Sequence, residues 1–191
     1  RRHMGKKTVE KGCIYPAIET KKKTGNEQFL NAGSDDGTLI DFWAWAYSDL
    51  VGNTERGRLA EFIVAMALGV AEGTSVSWDK YDLLSKEGIR VEVKSSSYLQ
   101  SWGQQNLSKI IFGIQPTYGW DRVSNKFDKE KKHQSDVYVF CLLKHIVQDT
   151  INPLDFSQWE FYVLSTAALN KAVPGQKTIS LNKLLNIGAK K

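Results

Sequence analysis

Asp82, Glu92 and Lys94 are residues whose types and spacing suit phosphodiester hydrolysis. They read as an acid, nine residues, then Glu-x-Lys, all within YDLLSKEGIRVEVKSSS at 81–97. Two carboxylates on one surface can share a divalent cation, and a lysine beside them can offset charge on a reacting phosphate. Ile89, Val91 and Val93 alternate with Arg90, Glu92 and Lys94, which predicts a strand with one apolar and one charged face. Lys86-Glu87-Gly88 separates two apolar runs and predicts a hairpin turn. With the hairpin centred near Glu87, Asp82 lies opposite Glu92. Opposed residues have Cβ atoms roughly 4.5–5.5 Å apart, where like charges are destabilising. A shared cation removes that objection, and Mg²⁺ commonly takes one or two protein carboxylates and completes its shell with water and phosphate.

The elements that must position these residues follow from the flanking pattern. Asn53 or Thr54 is expected to cap a helix with Glu55 in its first turn. From Leu59 to Val70 that helix carries a single charge, Glu61. Leu59, Phe62, Ile63, Met66 and Val70 form its predicted buried stripe, with Glu61 on the opposite face. Glu61 either reaches the hairpin acids or pairs with Arg56 or Arg58. Ahead of it, 38–50 has aromatic residues at helical spacing, for which core packing is favoured over stacking on bases. Behind the hairpin, Ser95, Ser96, Gln100 and Gln104 offer neutral donors to phosphates or bases, or else form a polar loop.

Further on, 110–114 predicts a strand. Residues 116–135 predict a long polar loop in which Lys126, Lys129, Lys131 and Lys132 alternate with Tyr118, Trp120 and Phe127. Basic residues mixed with aromatics suit nucleic acid, and Lys126, Lys131 and Lys132 are its candidate contacts. His133 reads as solvated. The run 136–143 predicts a strand covered on both faces. A strand at 159–164, a helix capped by Ser165 or Thr166 and running to Ala172, and a small closing element at 178–187 complete the chain.

The 191 residues, 41% apolar and 25% charged, fit one globular domain. The expected organisation is a basic arm over 1–37, of which Arg1–His3 reads as a tag remnant, and one domain over 38–191. A net charge of +5 and a pI near 9.1 suit a polyanionic partner. Neither a membrane span nor a signal peptide is apparent, and Cys13 and Cys141 form no disulfide framework, so a reducing cytoplasm is the expected setting. No Walker loop, dinucleotide fingerprint, zinc spacing or nucleophile elbow is present.

Glu61 on a helix, Asp82 opening a strand and Glu92-Val93-Lys94 on the next together resemble the PD-(D/E)xK, restriction-endonuclease-like nuclease superfamily, and VEVKSSSYLQSW is similar to the corresponding stretch of bacterial members. The resemblance is clear over 54–97 and looser over 109–172. It implies an α/β fold with a restriction-endonuclease-like core, a mixed central β-sheet flanked by helices. Asp82 and Glu92 would hold Mg²⁺ or Mn²⁺, with the main-chain carbonyl of Val93 as a further ligand. Lys94 would orient the attacking water, and Glu61 would bind a second ion or position a water. The implied substrate is DNA, double-stranded DNA being favoured, and two-strand cleavage would imply a symmetric homodimer. The chain departs from the pattern in having Tyr81 rather than proline before Asp82. It also lacks a second core helix directly after the Glu-x-Lys strand, unless the helix at 165–172 takes that role. Two other readings are a non-catalytic nucleic-acid-binding module on the same fold, and an interaction domain whose hairpin charges are merely solvated.

Overall fold

The computed structural model describes residues 15–31, 33, 37–75 and 80–191. In chain order the elements are α1 (Leu39–Tyr47), α2 (Asn53–Ala67), β1 (Leu83–Leu84), β2 (Arg90–Ser97), β3 (Ile111–Gly113), β4 (Thr117–Asp121), β5 (Lys126–Lys132), β6 (Val137–Leu143), β7 (Trp159–Ser165), α3 (Thr166–Ala172), β8 (Thr178–Ser180) and α4 (Leu181–Asn186). The result is a mixed α/β domain.

The site is built on a four-stranded sheet in the order β1-β2-β6-β7. The β1–β2 and β6–β7 pairs are antiparallel and β2–β6 is parallel, so the sheet is mixed. VYVFCLL is β-branched and aromatic enough to favour extended backbone, and its period of two serves both faces. Tyr138, Phe140 and Leu142 join Phe112, Leu169, Ile179 and Leu184 on one side, under β3, β8, α3 and α4. Val139, Cys141 and Leu143 join Val91, Val93, Ala60, Ile63 and Val64 on the other, under α2. Each large apolar side chain buried in this way contributes roughly 1.5–3 kcal/mol. Ser165 caps α3 by accepting from the Ala168 N–H, as its sequence predicts.

Several expectations are corrected. The helix over 39–47 forms, but none of its residues is buried, and Trp45 is 84% exposed. Helical spacing specifies which residues share a face, not what covers that face. Trp43 lies against Gly25 of the preceding segment rather than in the core. Gly52, not Asn53 or Thr54, stands at the start of α2, and no side chain caps it. The Asn53 side-chain oxygen is taken instead by the buried Arg56 guanidinium, at 2.6 Å. The buried face of α2 is Arg56, Ala60, Ile63, Val64 and Ala65, while Phe62 and Met66 are exposed by 50% and 41%. Small residues let the helix sit close on the valines of β2, which turns the larger side chains outward. The helix also stops at Ala67, where Gly69 adopts φ +66° and the Val70 N–H folds back to the Ala65 carbonyl.

The expected loop over 116–135 is instead the β4–β5 hairpin, with Trp120 opposite Phe127 and Tyr118 opposite Lys131. Its second strand, β5, carries charges on both faces, so no apolar alternation marks it. Of the anticipated central strands, 76–79 lies outside the described residues, as does 1–14 of the arm, including Cys13. Residues 15–31 contain no helix and are mostly exposed, tied to α1 through Leu39 N–H to Glu27 O and Ile40 N–H to Gly25 O. Among the described residues no helix is long and apolar enough to cross a membrane.

Candidate active site

The hairpin register is the one the spacing predicts. Leu83 pairs with Val91 and Leu84 with Arg90, the register that centres the hairpin at Glu87, and just beyond the paired residues the Asp82 N–H donates to the Val91 carbonyl. The turn closes through Ser85 N–H to Ile89 O, with Gly88 at φ +83°, a conformation that glycine enters without penalty. Beyond the end of β1 the Asp82 side chain replaces the main chain in the ladder, and its carboxylate accepts the Val93 N–H at 2.7 Å. In an extended strand the C=O of a residue leaves on the same edge as its N–H, so the Val93 carbonyl also belongs to the Asp82 side.

Lys94 donates to Glu92 Oε1 at 2.6 Å, and Ser135 donates to Glu92 Oε2 at 3.1 Å. Glu92 is therefore held at both oxygens. Burial, then the negative charge of Glu92, pushes the Asp82 carboxyl up to about 7, with Glu61 adding to the rise. The Val93 hydrogen bond and Lys94 pull the other way without offsetting it. Burial and the charges of Glu92 and Asp82 likewise raise the phenol of Tyr138, which backs the site on β6.

Glu61 comes close enough to act on Asp82 electrostatically, yet its carboxylate is paired with Arg58 at 2.8 Å. Among the described residues no group of three or more His, Cys, Asp and Glu is gathered as a metal cage. Asp82 and Glu92 bring hard carboxylate oxygens of the kind Mg²⁺ takes, Glu92 already bonded to Lys94 and Ser135, with Glu61 adjoining. Asp82 and Glu61 line a cavity of about 540 Å³ walled by Phe62, Ala65, Val70 and Leu83. On the other side, Glu92 and Lys94 line a more polar recess of about 270 Å³.

The remaining candidates divide. Ser95 faces α2 and meets the Arg56 guanidinium at 3.4 Å, and Ser96 is buried. The Gln100 amide donates to Ser97 O and Ser108 Oγ, and the Gln104 amide to Tyr98 O and Ser108 Oγ, so both build the 98–108 loop. Lys126, Lys131 and Lys132 are exposed on β5, Lys131 lying 5.2 Å from the Tyr118 ring centre. His133 is not merely solvated, because its ring nitrogens meet Ile114 O at 2.7 Å and Asn170 Oδ1 at 2.5 Å. Ser135 is a functional candidate with no sequence signal, since a serine ahead of a strand has no feature that points to Glu92.

A family model described as bacteriophage T4 endonuclease IV matches residues 44–183, which include all of Glu61, Asp82, Glu92 and Lys94. The chain belongs to the bacteriophage T4 endonuclease IV family. It is thereby placed among nucleases, and the match runs through the central sheet, the β4–β5 hairpin and α3. No curated protein and no solved structure matches it.

Proposed function

We propose that this chain is a Mg²⁺-dependent endonuclease that hydrolyses DNA phosphodiester bonds at Asp82, Glu92 and Lys94, on a core of the PD-(D/E)xK type. The observation that carries the reading is the hairpin that holds the Asp82 carboxylate on the Val93 N–H, between Glu92 and Lys94, with Lys94 bonded to Glu92 on the same strand. Membership of an endonuclease family supports it. So does the order of α2, β1 and β2, which is the helix and hairpin order of that superfamily.

Asp82 and Glu92 are the residues that would hold the cation, with the Val93 carbonyl at the same edge. When bound, Mg²⁺ or Mn²⁺ supplies Lewis-acid polarisation of the phosphate and a more acidic water. Lys94 is held by Glu92, and its role is to orient the water and offset the developing negative charge. Ser135 fixes the Glu92 carboxylate so that one oxygen stays turned to Lys94. Glu61 adds negative potential beside Asp82 and, if released from Arg58, a further acceptor for water. Two-strand cleavage would require two such sites in a symmetric dimer.

The test is incubation of plasmid and single-stranded DNA with Mg²⁺, Mn²⁺ or EDTA, beside Lys94→Ala. Cleavage that EDTA and the substitution both abolish supports the enzyme. DNA that is retarded but uncut by the native chain in every metal would mark a binding module instead.

A further inference from the structure

We infer that the recess beside Glu92 and Lys94 is a subsite for the phosphodiester next to the scissile one, with Lys132 and Lys80 as its cationic contacts. This rests on the nuclease reading above. The recess holds about 270 Å³ and is lined by Lys80, Lys94 and Lys132 against one carboxylate, Glu92. It is too small and too polar for a base pair, while the excess of cations suits one phosphodiester anion and its sugar.

The three lysines are not equivalent. Lys94 is held by Glu92 at 2.6 Å. Lys80, two residues before Asp82, bonds Asp128 of β5 at 2.9 Å. Lys132 makes no ion pair among the described residues. It is therefore the cation that an incoming anion meets first. The Lys80–Asp128 pair is partly exposed, and pairs of that kind are worth only about 0–1 kcal/mol, so a phosphate can take Lys80 at little cost.

Hydrogen bonds along the wall hold the recess in shape. His133 ties to Ile114 O and Asn170, and the Gln134 amide donates to Thr117 O at 2.9 Å. Gly119 permits the close approach, because a Cβ there would fall 2.9 Å from Gln134 Oε1 and 2.3 Å from Asp128 Oδ2. The β4–β5 hairpin is thus pressed onto the recess wall. Its role is to bring Lys132 within one phosphate of Lys94.

The experiment measures binding of a short DNA with one dominant cut, in EDTA, across a salt series. Lys132→Ala should weaken binding about tenfold at low salt and reduce the slope of log K on log salt by about 1. Lys132→Arg should restore both. Asp128→Asn, which frees Lys80, should tighten binding about threefold, whereas a purely structural Lys80–Asp128 latch would weaken it. A single uncharged methylphosphonate is then walked along the same DNA. The position most sensitive in the native protein should lie one phosphate from the cut and lose its sensitivity in Lys132→Ala. An unchanged slope, or losses from Lys132→Ala and methylphosphonate that simply add, overturns the subsite. If nothing is cut in any metal but one position still loses its sensitivity in Lys132→Ala, the recess binds a phosphate through Lys132, and its place beside a scissile bond falls with the nuclease reading. If cutting persists with an unchanged slope, the subsite alone falls.

Discussion

The Asp82 carboxylate accepts a hydrogen bond from the main-chain N–H of Val93, the residue between Glu92 and Lys94. One acid is thereby docked onto the strand that carries the other two groups. Backbone rather than a second flexible side chain fixes its place, and the same bond favours the ionised form that a cation would need.

Burial of Asp82 beside the charge of Glu92 gives the stability an unusual pH dependence. Asp82 sits at about 7 in the fold against an ordinary value near 3.8. The native state therefore binds more protons than the unfolded chain between those values, and stability declines as pH rises through that window. Asp82→Asn keeps the acceptor for Val93 and removes the charge. In EDTA at pH 8 it should melt above the native protein, by roughly 2–4 °C for each kcal/mol relieved. The gap should close toward pH 5 in thermal scans, and a gap that does not depend on pH would refute the assignment.

Mg²⁺ or Mn²⁺ should stabilise the native state by mass action. At about 100 times the dissociation constant the gain is about 2.7 kcal/mol. A melting temperature that stays flat through the titration would count against the cation site. In Asp82→Ala the rise should be lost or require far more metal.

Lys94→Ala should lower single-turnover cleavage by about 10²–10³-fold, the usual cost of losing one donor aimed at developing charge. The fold should be nearly unaffected, because the Lys94 side chain is 32% exposed and its ion pair with Glu92 is a partly solvated one. Lys94→Arg should recover little, since a planar guanidinium does not reproduce a compact ammonium.

Ser135→Ala removes the donor to Glu92 Oε2 from a residue that is 3% exposed. A stability loss of about 1 kcal/mol is expected, together with weaker metal dependence of cleavage. Ser135→Thr, which keeps the hydroxyl, should restore the metal dependence. A loss of stability with an unchanged metal titration would reduce Ser135 to a structural role.

The hairpin at 81–97 is legible in the sequence because one strict alternation and one turn set its register, and a slip of a single residue would reverse every face. The strand over 137–143 is legible because both of its faces are apolar. The β4–β5 hairpin is not, since Lys126–Lys132 is polar on both faces and its pairing rests on backbone hydrogen bonds and a few aromatic contacts. The outward aromatics of α1 and the small-residue face of α2 were hidden for another reason. Spacing orders residues around a helix, but the partner surface decides which arc is covered. Ser135 and His133 act through residues far off in the chain, 43 positions away for Glu92 and 37 for Asn170, and no local pattern records such contacts.

The parallel pairing of β2 with β6 also sets a schedule for the molecule. Val91 pairs with Val137, so the strand bearing Glu92 and Lys94 waits for a neighbour 46 residues downstream. Such long-range pairing pays its loop-closure entropy before its contacts repay it. During synthesis, Asp82, Glu92 and Lys94 leave the ribosome well before Ser135 and β6. For that interval the two acids and the lysine have no floor beneath them, and the growing chain carries them without the strand and the serine that later fix their positions.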